Sequence, residues 1–183
     1  MLENNFEVEK VLELIEQKKF NELKKYLERI NGADFPSIFE EIDDEDVLIV
    51  FRLLNKERAA EIFAELDPDM QERLINSFTD VELKNVIDKL FIDDTVDMIE
   101  EMPSNVVKRI LRNVSDKDRK IINEILNYPD DSAGSIMTTE FVDLKENMTV
   151  EQAFEKIKKI GLKNETVYNC YVLDKNRKLL AVI

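Results

Sequence analysis

A 24-residue period runs through the middle of the chain, and it limits the fold more than any other feature of the sequence. Lys56-Glu57-Arg58-Ala59-Ala60-Glu61-Ile62-Phe63-Ala64-Glu65-Leu66 aligns with Asp80-Val81-Glu82-Leu83-Lys84-Asn85-Val86-Ile87-Asp88-Lys89-Leu90, and the register reaches back to Gly32 and forward past Ser104. Identity between units is low, but the apolar columns hold. One reads Ile38, Ile62, Val86, Ile110 and the next Phe39, Phe63, Ile87, Leu111. Others read Ile42, Leu66, Leu90, Val114, then Val50, Leu74, Met98, Ile122, then Leu54, Phe78, Met102, Leu126. Within a unit the apolar residues recur at i, i+3, i+4 and i+7, as Ala59, Ile62, Phe63 and Leu66 do, which is the stripe of an amphipathic helix. Breaks fall at Asp43-Asp44, Asn55, Asp67-Pro68, Thr79-Asp80, Asp93-Asp94, Pro103-Ser104 and Ser115-Asp116. These residue types cap helices or open their first turn. Each unit therefore reads as two helices of about ten residues, too short to be stable without neighbours. Stacked pairs predict a mainly α fold, a right-handed or armadillo-like superhelix. Ahead of them, Phe6 to Gln17 and Phe20 to Ile30 predict one more helix pair that caps the stack.

Composition narrows the function. The 183 residues include 40 Asp+Glu, 26 Lys+Arg and no His, a formal net charge of −14. No excess of positive charge exists to neutralise phosphates, so nucleic acid is an unsuitable partner, as is an anionic membrane surface. Without His, the usual Ser-His-Asp and Cys-His arrangements and His-ligated zinc cannot be built. No nucleophile–base pair or phosphate-binding Gly loop is found either, so we expect no enzyme. The single Cys170 fits a reduced compartment. No apolar run approaches the ~20 residues of a membrane span, so this segment is expected not to insert into a bilayer. The imbalance is local. Residues 33–103 hold 21 acids and 6 bases, while residues 104–128 hold 3 acids and 6 bases. Clustered carboxylates are either a solvated face or a face that responds to hard divalent cations through oxygen.

The helical register stops at Tyr128-Pro129-Asp130-Asp131-Ser132-Ala133-Gly134, dividing the chain into a helical-repeat domain, 1–128, and a second segment, 129–183. In the latter, Phe141-Val142-Asp143-Leu144 predicts a strand. Thr149 with Gln152 forms a capping box that opens a helix running to Ile160, and Gly161 ends it. Cys170-Tyr171-Val172-Leu173 and Leu179-Leu180-Ala181-Val182-Ile183 predict two strands joined by the turn Asp174-Lys175-Asn176-Arg177, which completes a small α/β fragment of βαββ order. The sequence stops on a wholly apolar strand, from which we expect a cut inside this second domain.

Ile136-Met137-Thr138 at the head of that βαββ order, Met148-Thr149-Val150 opening the helix and Tyr171-Val172-Leu173-Asp174 before the basic turn resemble the first part of a CBS domain. Together with Tyr128 to Thr138, the helical repeats and Arg58-Ala59-Ala60-Glu61, they make nearly the whole chain, from about Val8 to Ile183, resemble the MgtE type of magnesium transporter. One departure is clear: the family's His-Pro-Ala-Asp turn is here Asn31-Gly32-Ala33-Asp34. The resemblance implies a helical domain at the cytoplasmic face of the membrane, followed by a pair of CBS domains, a connecting helix and a dimeric pore. The second CBS domain, the connecting helix and the transmembrane domain would be absent from this chain, and the full-length protein would be a homodimer. It also implies that Mg²⁺ bridges acidic surfaces of neighbouring domains and holds the pore shut, with weak sites that this fragment leaves incomplete. The alternative is a soluble helical-repeat interaction module like a flagellar motor switch protein, which uses similar Asp-Pro-punctuated helices. The strands after residue 140 favour the transporter.

The resemblance singles out Glu61, from Arg58-Ala59-Ala60-Glu61, and the segment Phe91-Ile92-Asp93-Asp94-Thr95-Val96-Asp97-Met98. Asp93 and Asp97 are spaced i, i+4, so they share a helix face, and like charges one turn apart are unfavourable unless a cation screens them. Asp94 reads as a helix cap or first-turn acid. Glu61 could equally be a solvated glutamate paired with Arg58. Met70, Met98, Met102, Met137, Met148 and Cys170 read as packing residues. Lys108, Arg109, Arg112, Lys117, Arg119 and Lys120 make a basic end to an acidic repeat array.

Overall fold

The structure, a computed structural model, describes residues 2–130, 132–160, 164 and 166–183. The chain forms two compact units, Met1–Leu90 with Asp97–Arg119, and Phe91–Val96 with Lys120–Ile183.

The expected short helices follow one another through residue 125. α1 (Leu2–Glu16) and α2 (Phe20–Leu27) form the leading pair. The repeats then give α3 (Phe35–Glu40) with α4 (Asp44–Leu53), α5 (Lys56–Ala64) with α6 (Pro68–Ser77), α7 (Asp80–Ile87) with α8 (Ile92–Glu101), and α9 (Ser104–Asn113) with α10 (Asp116–Ile125). The helices up to α7, and α9, belong to the first unit, and α8 and α10 are each divided between the two units. First helices of successive units pack on each other, α5 on α7 and α7 on α9, and α4 packs on α6. That arrangement makes the sequence columns into a core: Ile38, Ile62, Val86 and Ile110 are all buried. Phe51 meets Phe39, Phe63 and Phe78 with ring centroids 6.5, 6.2 and 5.3 Å away.

Local chemistry starts most of these helices. Asn55 and Asp67 accept from the N–H groups of Arg58 and Met70, and Thr79 forms a reciprocal capping box with Glu82. The first repeat differs in form. Its leading helix shrinks to six residues behind a 3-10 turn, Gly32–Asp34, and Asn31 Oδ1 accepts from Ala33 N at 3.3 Å. The side chain of Asn31 caps the turn here, so the departure from the family sequence leaves a turn in place. Polar ties join adjacent repeats near a constant offset: Arg52 to Glu82 (2.7 Å), Lys56 to Asn85 (2.7 Å), Lys89 to Glu57 (2.6 Å) and Arg109 to Asp80 (3.0 Å).

The second unit carries a three-stranded sheet in the order β1 (Phe141–Lys145), β2 (Thr166–Leu173), β3 (Leu179–Val182), with α11 (Val150–Ile160) between β1 and β2. β1 and β2 are parallel, as a helical crossover requires, and β2 and β3 are antiparallel. Val142, Leu144 and Cys170 form its core, with Ala153, Ile157 and Val172 packed against it. Asp174 Oδ1 accepts from the N–H groups of Asn176 and Lys178, both at 2.8 Å, and sets the β2–β3 turn. β2 begins at Thr166, which pairs with Phe141 of β1, four residues before the expected start; the exposed Val167 and Tyr168 lack the apolar alternation by which a strand is read in sequence. The helix stop expected at Gly161 lies outside the described residues. A Cβ on Gly134 would lie 2.5 Å from Tyr128 Cγ, so the ring of Tyr128 closes on the backbone where only glycine fits. That contact accounts for the spacing of Tyr128 and Gly134 in the segment that follows the repeats.

Candidate functional site

The acids singled out by the sequence lie on two elements. Asp93, Asp94 and Asp97 sit on α8, and Glu61 on α5. α8 starts at Ile92, so Asp93 and Asp94 lie inside its first turn rather than ahead of it. There the partial positive charge of the helix start favours both carboxylates. Asp93 and Asp94 are half-buried, while Asp97, one turn on, is exposed. Met98 and Ile99 are buried, and Thr95 is the buried polar residue of this helix, its hydroxyl donating to Phe91 O at 2.9 Å. The amphipathic pattern thus fixes which face holds the acids: the core residues turn inward and carry Asp97 to the outside.

The start of α8 is capped from far away. Residue 91 is Phe, which has no side-chain oxygen, and Ile92 N donates to Glu140 Oε2 at 2.6 Å. Glu140 N in turn donates to Thr138 Oγ1 at 3.1 Å. Sequence reasoning missed Glu140 because it reads caps from neighbours, and this one is 48 residues distant.

Glu61 is exposed on the flank of the α5 stripe, between the buried Ala60 and Ile62. With Glu65, one turn on, and the backbone of Gly32 and Ala33, it lines a recess of about 260 Å³. Arg58 of the same motif turns elsewhere. Its guanidinium donates to Glu28 O at 3.3 Å and to Ile30 O, and it stands 5.6 Å over the Phe35 ring. Arg58 therefore holds the chain leading into the Gly32–Asp34 turn, which forms the far wall of the recess that Glu61 lines.

Acid also accumulates at the start of α4. Asp43, Asp44, Glu45 and Asp46 line a recess of about 720 Å³ with Arg73, whose Nε is 3.3 Å from Asp44 Oδ1. Burial, then repulsion from Asp43, Glu45 and Glu16, pushes the Asp46 carboxyl above its ordinary value. Glu82 is the opposite case. Arg52 and the Thr79 backbone N–H hold it down at about 2.

Carboxylate oxygens are the hard donors that Mg²⁺ takes, usually one or two from any element with water completing the shell. These acids fit that ion as contributors. Among the described residues no three acidic or cysteine side chains converge closely enough to hold a metal ion between them.

Short helix pairs in a 24-residue repeat, leading into a β-α-β-β unit, define a helical-repeat protein with a small appended α/β sheet. Residues 30–131 match the MgtE intracellular N domain, and the chain belongs to that family. Over 164 residues it is 26% identical to the magnesium transporter MgtE of Thermus thermophilus, covering 88% of this chain and 36% of that protein. The magnesium transporter MgtE of Enterococcus faecalis is 45% identical over 62 residues, 34% of this chain and 14% of that protein. The chain thus spans well under half the length of the curated relatives it matches. The soluble part of a magnesium transporter superposes with a TM-score of 0.88 at 24% identity, covering 98% of this chain and 71% of that one, which bears on the fold. The cytosolic domain of the Mg²⁺ channel MgtE in complex with ATP gives a TM-score of 0.85 at 26% identity, covering 96% of this chain and 72% of that one. No helix among the described residues is long and apolar enough to cross a membrane.

Proposed function

We propose that this chain is the magnesium-sensing, gating part of a magnesium transporter, working at the cytoplasmic face of the membrane. The observation that carries the reading is the location of the charge. The 21 acids against 6 bases of residues 33–103 fall inside the segment matched to the intracellular N domain, and Asp93 and Asp97 stand one turn apart on α8. Like charges at that spacing cost a helix about 0.2–0.5 kcal/mol, and a divalent cation removes the cost. In this reading Asp93, Asp97 and Glu61, with Asp94 beside them in the first turn, give one or two oxygens each to weakly held Mg²⁺. Acids of the second CBS domain, of the transmembrane domain or of the other protomer of a homodimer supply the rest. Bound Mg²⁺ draws these surfaces together and favours the closed pore. When the ion leaves, the acids repel and the pore is released. The chain's own residues perform no chemistry on a substrate.

The test uses the full-length transporter in liposomes, with Mg²⁺ varied on the side that faces this domain. Wild-type flux should fall as that Mg²⁺ rises. D93N/D97N should stay conductive at concentrations that close the wild type, with unchanged flux at low Mg²⁺. Identical closure curves for the two proteins would refute the assignment.

A further inference from the structure

Glu140 holds the first turn of α8 from a segment 48 residues away, and the sequence around α8 explains why it must. The leading N–H groups of a helix have no partner within it. α5, α6 and α7 satisfy theirs with Asn55, Asp67 and Thr79 at the preceding position. α8 has Phe91 there, and Ile92 is itself buried, so a local side-chain cap is missing where water has little access. The 2.6 Å contact with Glu140 Oε2 is a charge-assisted bond at the short end of its range. Glu140 is fixed in its turn by Thr138 and adjoins Phe141, the first residue of β1. The acceptor is also a charge: Glu140 joins Asp93 and Asp94 at one helix end. The helix start favours each of them, while their mutual repulsion opposes all.

We propose that Glu140 is a positioning residue that latches the acidic first turn of α8 to the segment leading into β1, and that a cation held by the α8 acids tightens this latch. The second half rests on the cation-sensing reading of Asp93 and Asp97. A cation there relieves the repulsion that Glu140 feels, so the bond to Ile92 strengthens with occupancy. By linkage, a closed latch raises the affinity of α8 for the cation by the same factor. Magnesium occupancy on α8 is thereby transmitted to the position of β1 through one hydrogen bond.

Amide hydrogen exchange at Ile92 reads the latch directly. It is measured on the whole chain in MgCl₂ and in NaCl of matched ionic strength, with the α5 and α7 amides as a control for the rest of the fold. In wild type the Ile92 amide should be protected, and more so in MgCl₂ than in NaCl. Glu140→Ala should speed its exchange about tenfold or more, the scale of a lost charge-assisted bond, and abolish the MgCl₂ increment. Glu140→Gln keeps an acceptor oxygen without the charge, so it should keep most of the protection in NaCl while losing the increment. D93N/D97N should also lose the increment with Glu140 intact. Unchanged Ile92 exchange in Glu140→Ala, or loss of all protection in Glu140→Gln, overturns the latch. A full increment in Glu140→Gln overturns the coupling while leaving the role of Asp93 and Asp97 standing. No increment in wild type, with Ile92 still freed by Glu140→Ala, overturns the coupling and leaves the latch standing, while the cation reading itself is decided by the flux of the D93N/D97N transporter.

Discussion

Glu82 and Asp46 sit in the same acidic stretch, yet their surroundings drive them in opposite directions. Glu82 closes the capping box of α7 and pairs with Arg52 of α4, which lowers its pKa from 4.5 to about 2. A depressed folded-state value means stability that is fully present above about pH 5 and lost as pH falls through 4.5 towards 2. Glu82→Gln should therefore cost about 1 kcal/mol at pH 7, the worth of a cap with a partly exposed ion pair. The gap from wild type in urea denaturation should close as pH falls through that window. Asp46 has its folded-state value raised by burial and by Asp43, Glu45 and Glu16. Its charged form is disfavoured in the fold, so its contribution worsens as pH rises through the window between the unfolded and folded values. Asp46→Asn should accordingly stabilise the protein at pH 7 and become neutral at low pH, a profile of opposite sign in the same experiment. Gly134 is decided by space alone. Gly134→Ala forces a Cβ to 2.5 Å from Tyr128 Cγ and should cost about 1–3 kcal/mol. Pairing it with Tyr128→Ala should recover part of that, whereas strict additivity in the double-mutant cycle would show that the two residues do not meet.

Elements are joined here by arginines that reach across to backbone carbonyls. Arg109 on α9 donates to Ile75 O, to Phe78 O at 2.6 Å and to Asp80 Oδ1, gathering the end of α6 and the start of α7 into one fork. Lysine presents a point charge rather than a planar fork and cannot serve three acceptors in that geometry. Arg109→Lys should lose about 2 kcal/mol by thermal or urea denaturation, close to the loss in Arg109→Ala. A lysine variant as stable as wild type would reduce the fork to a simple charge. These clamps left no mark in the sequence, because their acceptors are main-chain oxygens present at every residue. The helices themselves were legible, since their cores repeat as side-chain columns: Ile38, Ile62, Val86 and Ile110 are aligned in the sequence and buried in the fold. The start of α8 lies two residues before the one that an Asp93 cap would give, for a physical reason. Asp93-Asp94 looks like a cap, but the capping oxygen belongs to Glu140. Arg58 and Glu61 were read as one motif and divide into a clamp on residues 28–30 and an exposed acid beside the turn that clamp holds.

Over the whole molecule, charge is unevenly placed, and that unevenness makes a measurable claim. The net of −14 arises almost wholly from residues 33–103, whereas residues 104–128 carry 3 acids against 6 bases. Self-repulsion of this kind is relieved by any salt, because at 0.15 M exposed charges more than about 8 Å apart are largely screened. The melting temperature should therefore rise with NaCl and level off once the long-range repulsion is gone. A cation that only screens can do no more than that. One that sits between carboxylates acts at short range, where monovalent salt is a poor substitute, so MgCl₂ at matched ionic strength should add a further increment. That increment should be small in this chain, in which no three candidate ligands converge among the described residues, and larger if, as proposed above, further domains bring their own acids to these surfaces. D93N/D97N should remove the increment specific to Mg²⁺ and leave the NaCl curve intact. Its effect on the starting stability should be small, because relief of a like-charge pair one turn apart is offset by loss of the favourable contact of Asp93 with the helix start. Should the double variant keep its full response to Mg²⁺, Asp93 and Asp97 would be no more than acids that start a helix, and the proposed Mg²⁺-responsive face would have to be sought among the acids that line the recess at the start of α4 instead.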